Sequence, residues 1–189
     1  MMHPILKNRR SPVLFSDKKI AKEDILGIFE AARWSPSSSN QQPWRYIIAP
    51  KDKPEDFQRL FNCLTAGNKL WVKNVPLLCI SIAEVISDYN YKENRYAFHD
   101  VGLSTSFLIF QAMSLGIYVH VMGGFNPDMA VESLNIPERF SPVAMIAMGY
   151  PADSPEGFPA ELITKEKRKR VRKEIPEILF NGLWGNNFE

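Results

Sequence analysis

Two arginines and a serine, Arg9-Arg10-Ser11, stand near the start of the chain and could bind an anion. Guanidinium groups donate paired hydrogen bonds to phosphate, and a serine hydroxyl adds another donor. A solvated terminus is the alternative, because residues at chain ends are commonly exposed. The residues alone leave both interpretations open.

A polar loop and a glycine pair could contact a flat ligand. The segment Ser37–Asn40, followed by two glutamines, offers hydroxyl, amide and N–H groups to a ring edge. A turn needs only a few polar residues and a breaker, so this loop is more polar than a turn requires. Gly123-Gly124 follows an apolar stretch and would let a ligand approach the backbone, although a tight turn would also use glycine.

Metal and side-chain catalysis find little support in the sequence. The three histidines, His3, His99 and His120, do not pair with other ligands at metal-binding spacing, so we expect no metal site. His99-Asp100 could form an acid–base pair, but adjacent helical residues point apart, which favours capping or packing roles. GxGxxG, Walker-type and GxSxG motifs are missing from the sequence.

Length and composition predict a single domain in the cytoplasm. The 189 residues are 45% hydrophobic, which suffices for a core without disulfides. Cys63 and Cys79 lie in apolar stretches without CxxC spacing, so we expect reduced core thiols. We recognise no signal peptide and no stretch of membrane-spanning length, and we expect no membrane partner.

Positive charge is concentrated near the C-terminus. Residues 165–174, KEKRKRVRKE, hold seven of the 23 basic residues, and the rest of the chain carries a small net negative charge. This distribution favours a local anion site or a tail, and we expect no nucleic-acid partner. Leu183-Trp184 near the end of the chain needs a packing surface, either on a partner subunit or on its own domain.

Helical and strand patterns alternate along the chain. Apolar spacing predicts helices that end near Trp34, span Asp52–Leu64 and Asn94–Leu115, and follow Asn126-Pro127. Apolar runs predict strands at Tyr46–Ala49, Val75–Ile82, Ile117–Met122 and Val143–Met148. This order predicts one domain, residues 1–189, in which helices cover both faces of a sheet.

Together these segments resemble the FMN-dependent nitroreductase family of flavin oxidoreductases. The likeness runs through NRRSPVLF, AARWSPSSSNQQPWRY, NKLWVKNVPLL, HDVGLSTSFLIFQAMSLGI, MGGFNP, AMGYPAD and RVRKEIPEILFNGLWG. It implies an α+β fold: an α-β-α sandwich with a central mixed sheet flanked by helices. It also implies an intertwined homodimer with FMN at the interface, and a basic C-terminal extension, residues 165–189, that packs on the partner subunit.

The resemblance implies two groups of FMN contacts. The phosphate and ribityl chain would be held by Arg9, Arg10, Ser11, Arg170 and Arg172. The partner chain's loop would contact the flavin ring through Ser37, Ser38, Ser39, Asn40 and Gln42. The polar residue Asn68 and the turn formed by Gly123 and Gly124 would also contact the ring. Many members carry a further basic residue where this sequence has Val13, so phosphate binding would depend more on the C-terminal arginines.

The implied activity is that of an FMN-dependent NAD(P)H oxidoreductase. Hydride would pass from NADH or NADPH through flavin N5 to a nitroaromatic, quinone or similar electron-poor acceptor, with ping-pong kinetics and no catalytic side chain. The alternatives are a flavin-dependent dehalogenase or dehydrogenase of a specific metabolite, and a non-catalytic flavin-binding redox protein. Neither the acceptor nor a preference between NADH and NADPH can be read from the sequence, because no ribose-recognising motif is visible.

Overall fold

The computed structural model describes residues 2–188, which form helices on both sides of a four-stranded sheet. The strands are β1 (Trp44–Pro50), β2 (Leu77–Glu84), β3 (Tyr118–Met122) and β4 (Phe140–Gly149). The α-helices are α1 (Pro4–Asn8), α2 (Lys22–Arg33), α3 (Pro54–Asn62), α4 (Ala66–Val72), α5 (Ala97–Ser114), α6 (Pro127–Ser133) and α7 (Ala160–Glu166). Short 3-10 turns occur at Ser38–Asn40 and Ile175–Glu177.

The sheet has the strand order β1-β2-β4-β3, and each neighbouring pair in the described chain is antiparallel. The expectation of a mixed sheet is therefore wrong. Strands β2 and β3 run in the same direction and α5 connects them, as in a parallel crossover unit. However, β4 inserts between them, pairing Cys79 with Ile146 on one side and Val119 with Met148 on the other.

Helices cover both faces of the sheet, as the sequence predicts. On one face, α2 and α5 pack over the sheet around Ile28, Leu108 and Ile146. On the other face, the N-terminal segment and the shorter helices pack around a core that includes Leu60 and Trp71. Each residue of β2 is buried, which explains why its sequence is a continuous apolar run.

The cysteines occupy the core, as expected. Cys63 is 1% exposed, Cys79 is 0% exposed, and both are free thiols. Burial raises the pKa of the Cys79 thiol, because a thiolate would lose its hydration there. These thiols therefore pack as small apolar side chains.

The C-terminal segment leaves large apolar side chains in solvent. Ile178, Leu183 and Trp184 are 62%, 71% and 90% exposed. The Trp184 ring contacts Phe180 at a centroid distance of 4.8 Å, which is a contact within the same segment. Leu183 and Trp184 therefore do not pack on their own domain. The segment begins close to α7, whose Leu162 is buried in the core.

Candidate functional site

Three arginines converge beside the C-terminal end of α1. The guanidinium of Arg170 donates hydrogen bonds to the Arg9 carbonyl at 2.5 Å and to the Lys7 carbonyl at 2.9 Å, so the C-terminal segment lies against the N-terminal one. Burial, and then the neighbouring charges of Arg172 and Arg170, lower the pKa of Arg9. Within residues 2–188, none of these three guanidinium groups forms an ion pair with a carboxylate. We call Arg9, Arg170 and Arg172 the arginine cluster.

The arginine cluster has the properties of an anion-binding site. Like charges held together without a counterion repel one another, and an anion placed among them removes that repulsion. Ser11 lies within this site, because its hydroxyl oxygen accepts a hydrogen bond from Arg9 Nη1 at 3.2 Å. A phosphate monoester, with its negative charge and acceptor oxygens, matches these donors.

The Arg10 side chain points away from the arginine cluster and toward α7. Its guanidinium forms an ion pair with Glu166, whose other carboxylate oxygen accepts a hydrogen bond from the Val13 N–H at 2.7 Å. The Glu166 side chain is only 14% exposed. Arg10 therefore attaches the N-terminal segment to α7, whereas Arg9 remains in the arginine cluster with Ser11 beside it.

The turn after β3 brings Gly124 and Asn68 together. The Gly124 carbonyl accepts hydrogen bonds from Asn68 Nδ2 at 2.9 Å and from Thr65 Oγ1 at 3.1 Å. A Cβ at Gly124 would lie 2.7 Å from Asn68 Nδ2, so a larger residue there would displace the Asn68 side chain. Within the described residues, the N–H groups of Gly123 and Gly124 find no backbone acceptor, and a Cβ added to Gly123 would meet no atom within 4 Å. This glycine turn, Gly123-Gly124, therefore presents free backbone donors.

Two aromatic side chains connect the arginine cluster to the glycine turn. Nδ1 of His120 lies 2.7 Å from the carbonyl of Pro12, directly after Ser11. The His120 ring packs on the Trp71 ring at a centroid distance of 4.5 Å, and Trp71 Nε1 donates to Asn68 Oδ1 at 3.3 Å. A chain of side-chain contacts through His120 and the buried Trp71 thus links the arginine cluster to Asn68 and the glycine turn.

His120 and Trp71 were not among the site residues predicted from the sequence. His120 was considered only as a metal ligand, and Trp71 lies in α4, which was not predicted. A usable signal was present in the strand periodicity. His120 precedes Met122 by two positions, so both side chains lie on the same face of β3.

The polar loop Ser37–Gln42 adopts a strained backbone. Ser39, Asn40 and Gln42 have φ values of 51°, 54° and 49°, in the left-handed region that costs a non-glycine residue about 1 kcal/mol or more. Two contacts hold this conformation: the Ser38 N–H donates to Asp100 at 2.9 Å, and the Gln42 N–H donates to Ser37 Oγ at 2.9 Å.

His99 and Asp100 contact each other, contrary to the expectation that they point apart. His99 Nδ1 lies 2.9 Å from Asp100 Oδ1. The carboxylate is nevertheless a packing and capping group, as the sequence favoured, because Asp100 is 2% exposed and its second oxygen accepts the Ser38 N–H. The His99 side chain is largely in solvent, at 67% exposure.

Within a single chain, the predicted site residues form two separate groups. The first group joins the arginine cluster to the glycine turn through His120 and Trp71. The second is the polar loop, which is attached to α5 through Asp100, and no hydrogen bond within residues 2–188 connects it to the first group.

Residues 2–188 contain no group of three or more histidine, cysteine, aspartate or glutamate side chains that could hold a metal ion. No helix in this range combines the length and apolar character needed to cross a membrane.

Comparison with known proteins identifies the class to which this fold and site belong. A sequence model of the nitroreductase family matches residues 6–69, a range that includes Arg9, Ser11 and the polar loop. A crystal structure described as an oxidoreductase containing FMN is 34% identical, superposes with a TM-score of 0.90, and covers 99% of this chain and 94% of its own. The chain belongs to the nitroreductase family, a family of oxidoreductase enzymes.

Two more distant relatives have different names. The NAD(P)H-linked FMN reductase of Bacillus subtilis (strain 168) is 25% identical over 166 residues, which cover 78% of this chain and 65% of that protein. The iodotyrosine deiodinase of Haliscomenobacter hydrossis is 23% identical over 176 residues, which cover 80% of this chain and 79% of that protein. Members similar to this chain therefore differ in the reaction for which they are named.

Proposed function

We propose that the protein is an FMN-dependent NAD(P)H oxidoreductase that reduces a nitroaromatic, a quinone or a similar electron-poor acceptor. The observation that carries this proposal is the uncompensated arginine cluster, joined through His120 and Trp71 to the free backbone donors of the glycine turn. An anion site and a donor-lined turn, linked by this chain of contacts, match a cofactor with a phosphate at one end and a hydrogen-bonding ring at the other. The similar oxidoreductase containing FMN and the FMN reductase support the assignment.

The chain's residues divide the binding of FMN into two tasks. Arg9, Ser11, Arg170 and Arg172 would bind the phosphate and the nearby ribityl hydroxyls, and Arg10 would act indirectly by holding the N-terminal segment on Glu166. Asn68 and the N–H groups of Gly123 and Gly124 would face the ring edge. The Asn68 amide already donates to Gly124, so its orientation is set before any ligand arrives.

Bound FMN would supply the two-electron chemistry, receiving hydride from NADH or NADPH and delivering it to the acceptor in a ping-pong sequence. For a quinone the overall balance is quinone plus NAD(P)H plus one proton, giving hydroquinone plus NAD(P)⁺. Backbone donors aimed at the ring edge would stabilise negative charge there electrostatically. The resemblance implies no catalytic side chain, so in this proposal the proton would come from water.

We further propose that the active unit is a homodimer. The exposed apolar side chains Ile178, Leu183 and Trp184 would pack on the partner subunit, within the C-terminal extension of residues 165–189. The polar loop, with Ser37, Ser38, Ser39, Asn40 and Gln42, would then reach the FMN held mainly by the other chain. Light scattering should give the mass of two chains, and serine at Ile178, Leu183 and Trp184 should shift it toward one. A wild-type mass of one chain would contradict this part of the proposal.

The cofactor and the electron donor can be tested in one anaerobic experiment. Purified protein should bind FMN with a changed flavin absorption spectrum, and NADH or NADPH added stepwise should bleach it. The comparison of the two donors also measures the preference that the sequence does not indicate. Protein that remains without flavin after incubation with FMN would refute the proposal.

The acceptor class separates this function from its alternatives. The similarity to an iodotyrosine deiodinase favours reductive dehalogenation as a second candidate. Reduced protein should be mixed with a quinone, a nitroaromatic and a halogenated phenol, and its reoxidation followed. Fast reoxidation by the quinone or nitroaromatic supports the first function, and fast reoxidation by the halogenated phenol alone supports the second. Flavin that no acceptor reoxidises would indicate a non-catalytic redox protein.

We place this activity in the cytoplasm. The two buried free thiols, Cys63 and Cys79, suit a compartment in which cysteines remain reduced. Fractionation of cells that express the protein would test this location, and recovery outside the cytoplasm would contradict it.

A further inference from the structure

His120 lies between the two ends of the proposed FMN site, and its hydrogen bond determines its tautomer. The partner of Nδ1 is the Pro12 carbonyl, at 2.7 Å, which can only accept a hydrogen bond. Nδ1 must therefore carry a proton and donate. In the neutral imidazole Nε2 then holds a lone pair, and protonation of the ring occurs at Nε2.

The packing around His120 docks the N-terminal segment on α4. The Trp71 ring packs on His120 at 4.5 Å and on Phe15 at 6.0 Å, with small interplanar angles of 27° and 18°. Pro12 and Phe15 belong to the same segment as the anion-binding Arg9 and Ser11. A change in the charge of His120 would therefore act on the segment that contributes to the anion site.

The charged groups that face His120 come from two elements. Arg9 of the N-terminal segment, with Lys165 and Glu166 of α7, are close enough to influence its charge, and Glu166 is already paired with Arg10. Trp71 of α4 carries no charge. Burial lowers the pKa of His120 most, the Pro12 carbonyl and Glu166 raise it, and Lys165 and Arg9 lower it further. His120 is therefore neutral near pH 7 while the anion site is empty.

We propose that His120 is a positioning residue whose protonation at Nε2 is coupled to occupancy of the anion site by a phosphate group. This inference rests on the proposed function, because FMN supplies the phosphate. A phosphate dianion would neutralise Arg9 and reduce the repulsion that a second nearby cation meets. The bound anion would also attract a proton to the imidazole. By thermodynamic linkage, a proton on His120 would tighten binding of the phosphate by the same factor.

Proton NMR of the histidine rings tests the coupling without altering the protein. The chain has three histidines, so the ring signals of His120 can be assigned by comparison with His3 and His99 variants. The His120 pKa should rise when FMN is added, because the bound anion attracts a proton and offsets the charge of Arg9. Inorganic phosphate should raise the His120 pKa in the same direction, and riboflavin, which lacks the phosphate, should not. An unchanged His120 pKa with FMN, or an equal rise with riboflavin, would overturn the inference.

A pair of variants tests the reciprocal effect on affinity. His120→Asn keeps an N–H donor near the Nδ1 position but cannot be protonated, and His3→Asn is the control because asparagine also caps a helix N-terminus. The dissociation constant of FMN should be measured by flavin fluorescence between about pH 4.5 and about pH 8, a range that includes the phosphate pKa near 6 and extends well below the ordinary histidine pKa, because burial lowers the pKa of His120. That phosphate titration is common to the proteins and cancels when they are compared.

The expected difference lies in how affinity depends on pH. The ratio of the FMN affinity of the wild type to that of His120→Asn should be up to about tenfold larger at the acidic end of the range than at the alkaline end. Parallel pH profiles for the two proteins would refute the coupling and leave the proposed function intact. Absence of FMN binding by the wild type at every pH would refute the proposed function, and the His120 inference with it.

Discussion

The buried carboxylate of Asp100 accepts a hydrogen bond from the backbone N–H of Ser38 at 2.9 Å, across 62 residues of sequence. Through this contact α5 holds the polar loop against the body of the protein. The loop has three non-glycine residues in the left-handed region and needs such support, because each would otherwise relax to a more common conformation. The Asp100 carboxylate therefore affects the candidate site indirectly, because it fixes the conformation of the polar loop.

Removal of this acceptor should loosen the loop and lower stability. Asp100→Ala leaves the Ser38 N–H without its charged partner, so we expect the free energy of unfolding to fall by about 1–3 kcal/mol. Asp100→Asn keeps an acceptor oxygen and should lose less. Urea unfolding measures both, with the exposed Asp153→Asn as control. Wild-type stability in Asp100→Ala would contradict the role assigned to this contact.

Loss of Arg9 should weaken FMN binding through the phosphate. A charge-assisted hydrogen bond contributes about 1.5–3 kcal/mol, so Arg9→Gln should raise the dissociation constant of FMN by about 10-fold to 100-fold. Riboflavin, which has no phosphate, should bind equally to both proteins. Arg33→Gln is the matched control, because Arg33 pairs with Glu30 at the surface. An equal loss of affinity for FMN and riboflavin would exclude a phosphate contact at Arg9.

Glu166 should contribute more to stability than a surface carboxylate does. Glu166→Ala removes the partner of Arg10 and the acceptor of the Val13 N–H. Because Arg10 is 43% exposed, we expect a loss of about 1–3 kcal/mol, below the range for breaking a fully buried pair. Asp56→Ala, which breaks an exposed pair with Arg59, should cost less than about 1 kcal/mol. Equal losses in the two variants, measured by urea unfolding, would show that Glu166 does not anchor the N-terminal segment.

The two glycines of the turn should differ in their tolerance of alanine. A Cβ at Gly124 would lie 2.7 Å from Asn68 Nδ2, whereas a Cβ at Gly123 would meet nothing within 4 Å. We expect Gly124→Ala to lower the melting temperature by several degrees, corresponding to about 1–3 kcal/mol of overpacking, and Gly123→Ala to leave it nearly unchanged. Calorimetry of the two proteins without FMN measures the difference. The reverse order would contradict the packing of the turn.

Alkaline pH should destabilise the protein partly through Tyr46. Burial raises the pKa of Tyr46, and hydrogen bonds with Ser104 and Thr105 offset this only in part. The folded state therefore keeps the tyrosine proton at pH values where the unfolded state releases it, so stability falls as pH rises above about 10. Tyr46→Phe cannot ionise and should lose less stability between about pH 9 and about pH 11. Urea midpoints that fall in parallel for both proteins would contradict this prediction.

Local patterns predicted the elements that are long or strongly apolar. The apolar run of β2 and the long stripe of α5 are visible in any window of the sequence, because burial imposes a periodicity on consecutive residues. Helices α1, α4 and α7 were not predicted. Each has seven residues or fewer, too few to give a strong pattern. In α4 and α7 the burial of Trp71 and Leu162 stabilises the helix more than its own propensity does.

The sequence predicted which residues could form the candidate site. Only the fold shows which contacts each of these residues makes. Arg9 and Arg10 are adjacent and chemically identical, and the sequence gives both the same anion-binding potential. The fold pairs Arg10 with Glu166, 156 residues away, and leaves Arg9 within the arginine cluster. His120 was likewise an isolated histidine until the fold placed it between Pro12 and Trp71.

The sequence by itself determined the order of the elements, the burial of both cysteines and the family to which the chain belongs, because these follow from residue types and their spacing along the chain. Only the tertiary structure decided that β4 separates β2 from β3, so that each sheet pairing is antiparallel. It also decided which of two neighbouring arginines pairs with Glu166 and which lies in the arginine cluster. Both outcomes depend on contacts between residues far apart in the chain, whose geometry no local pattern specifies.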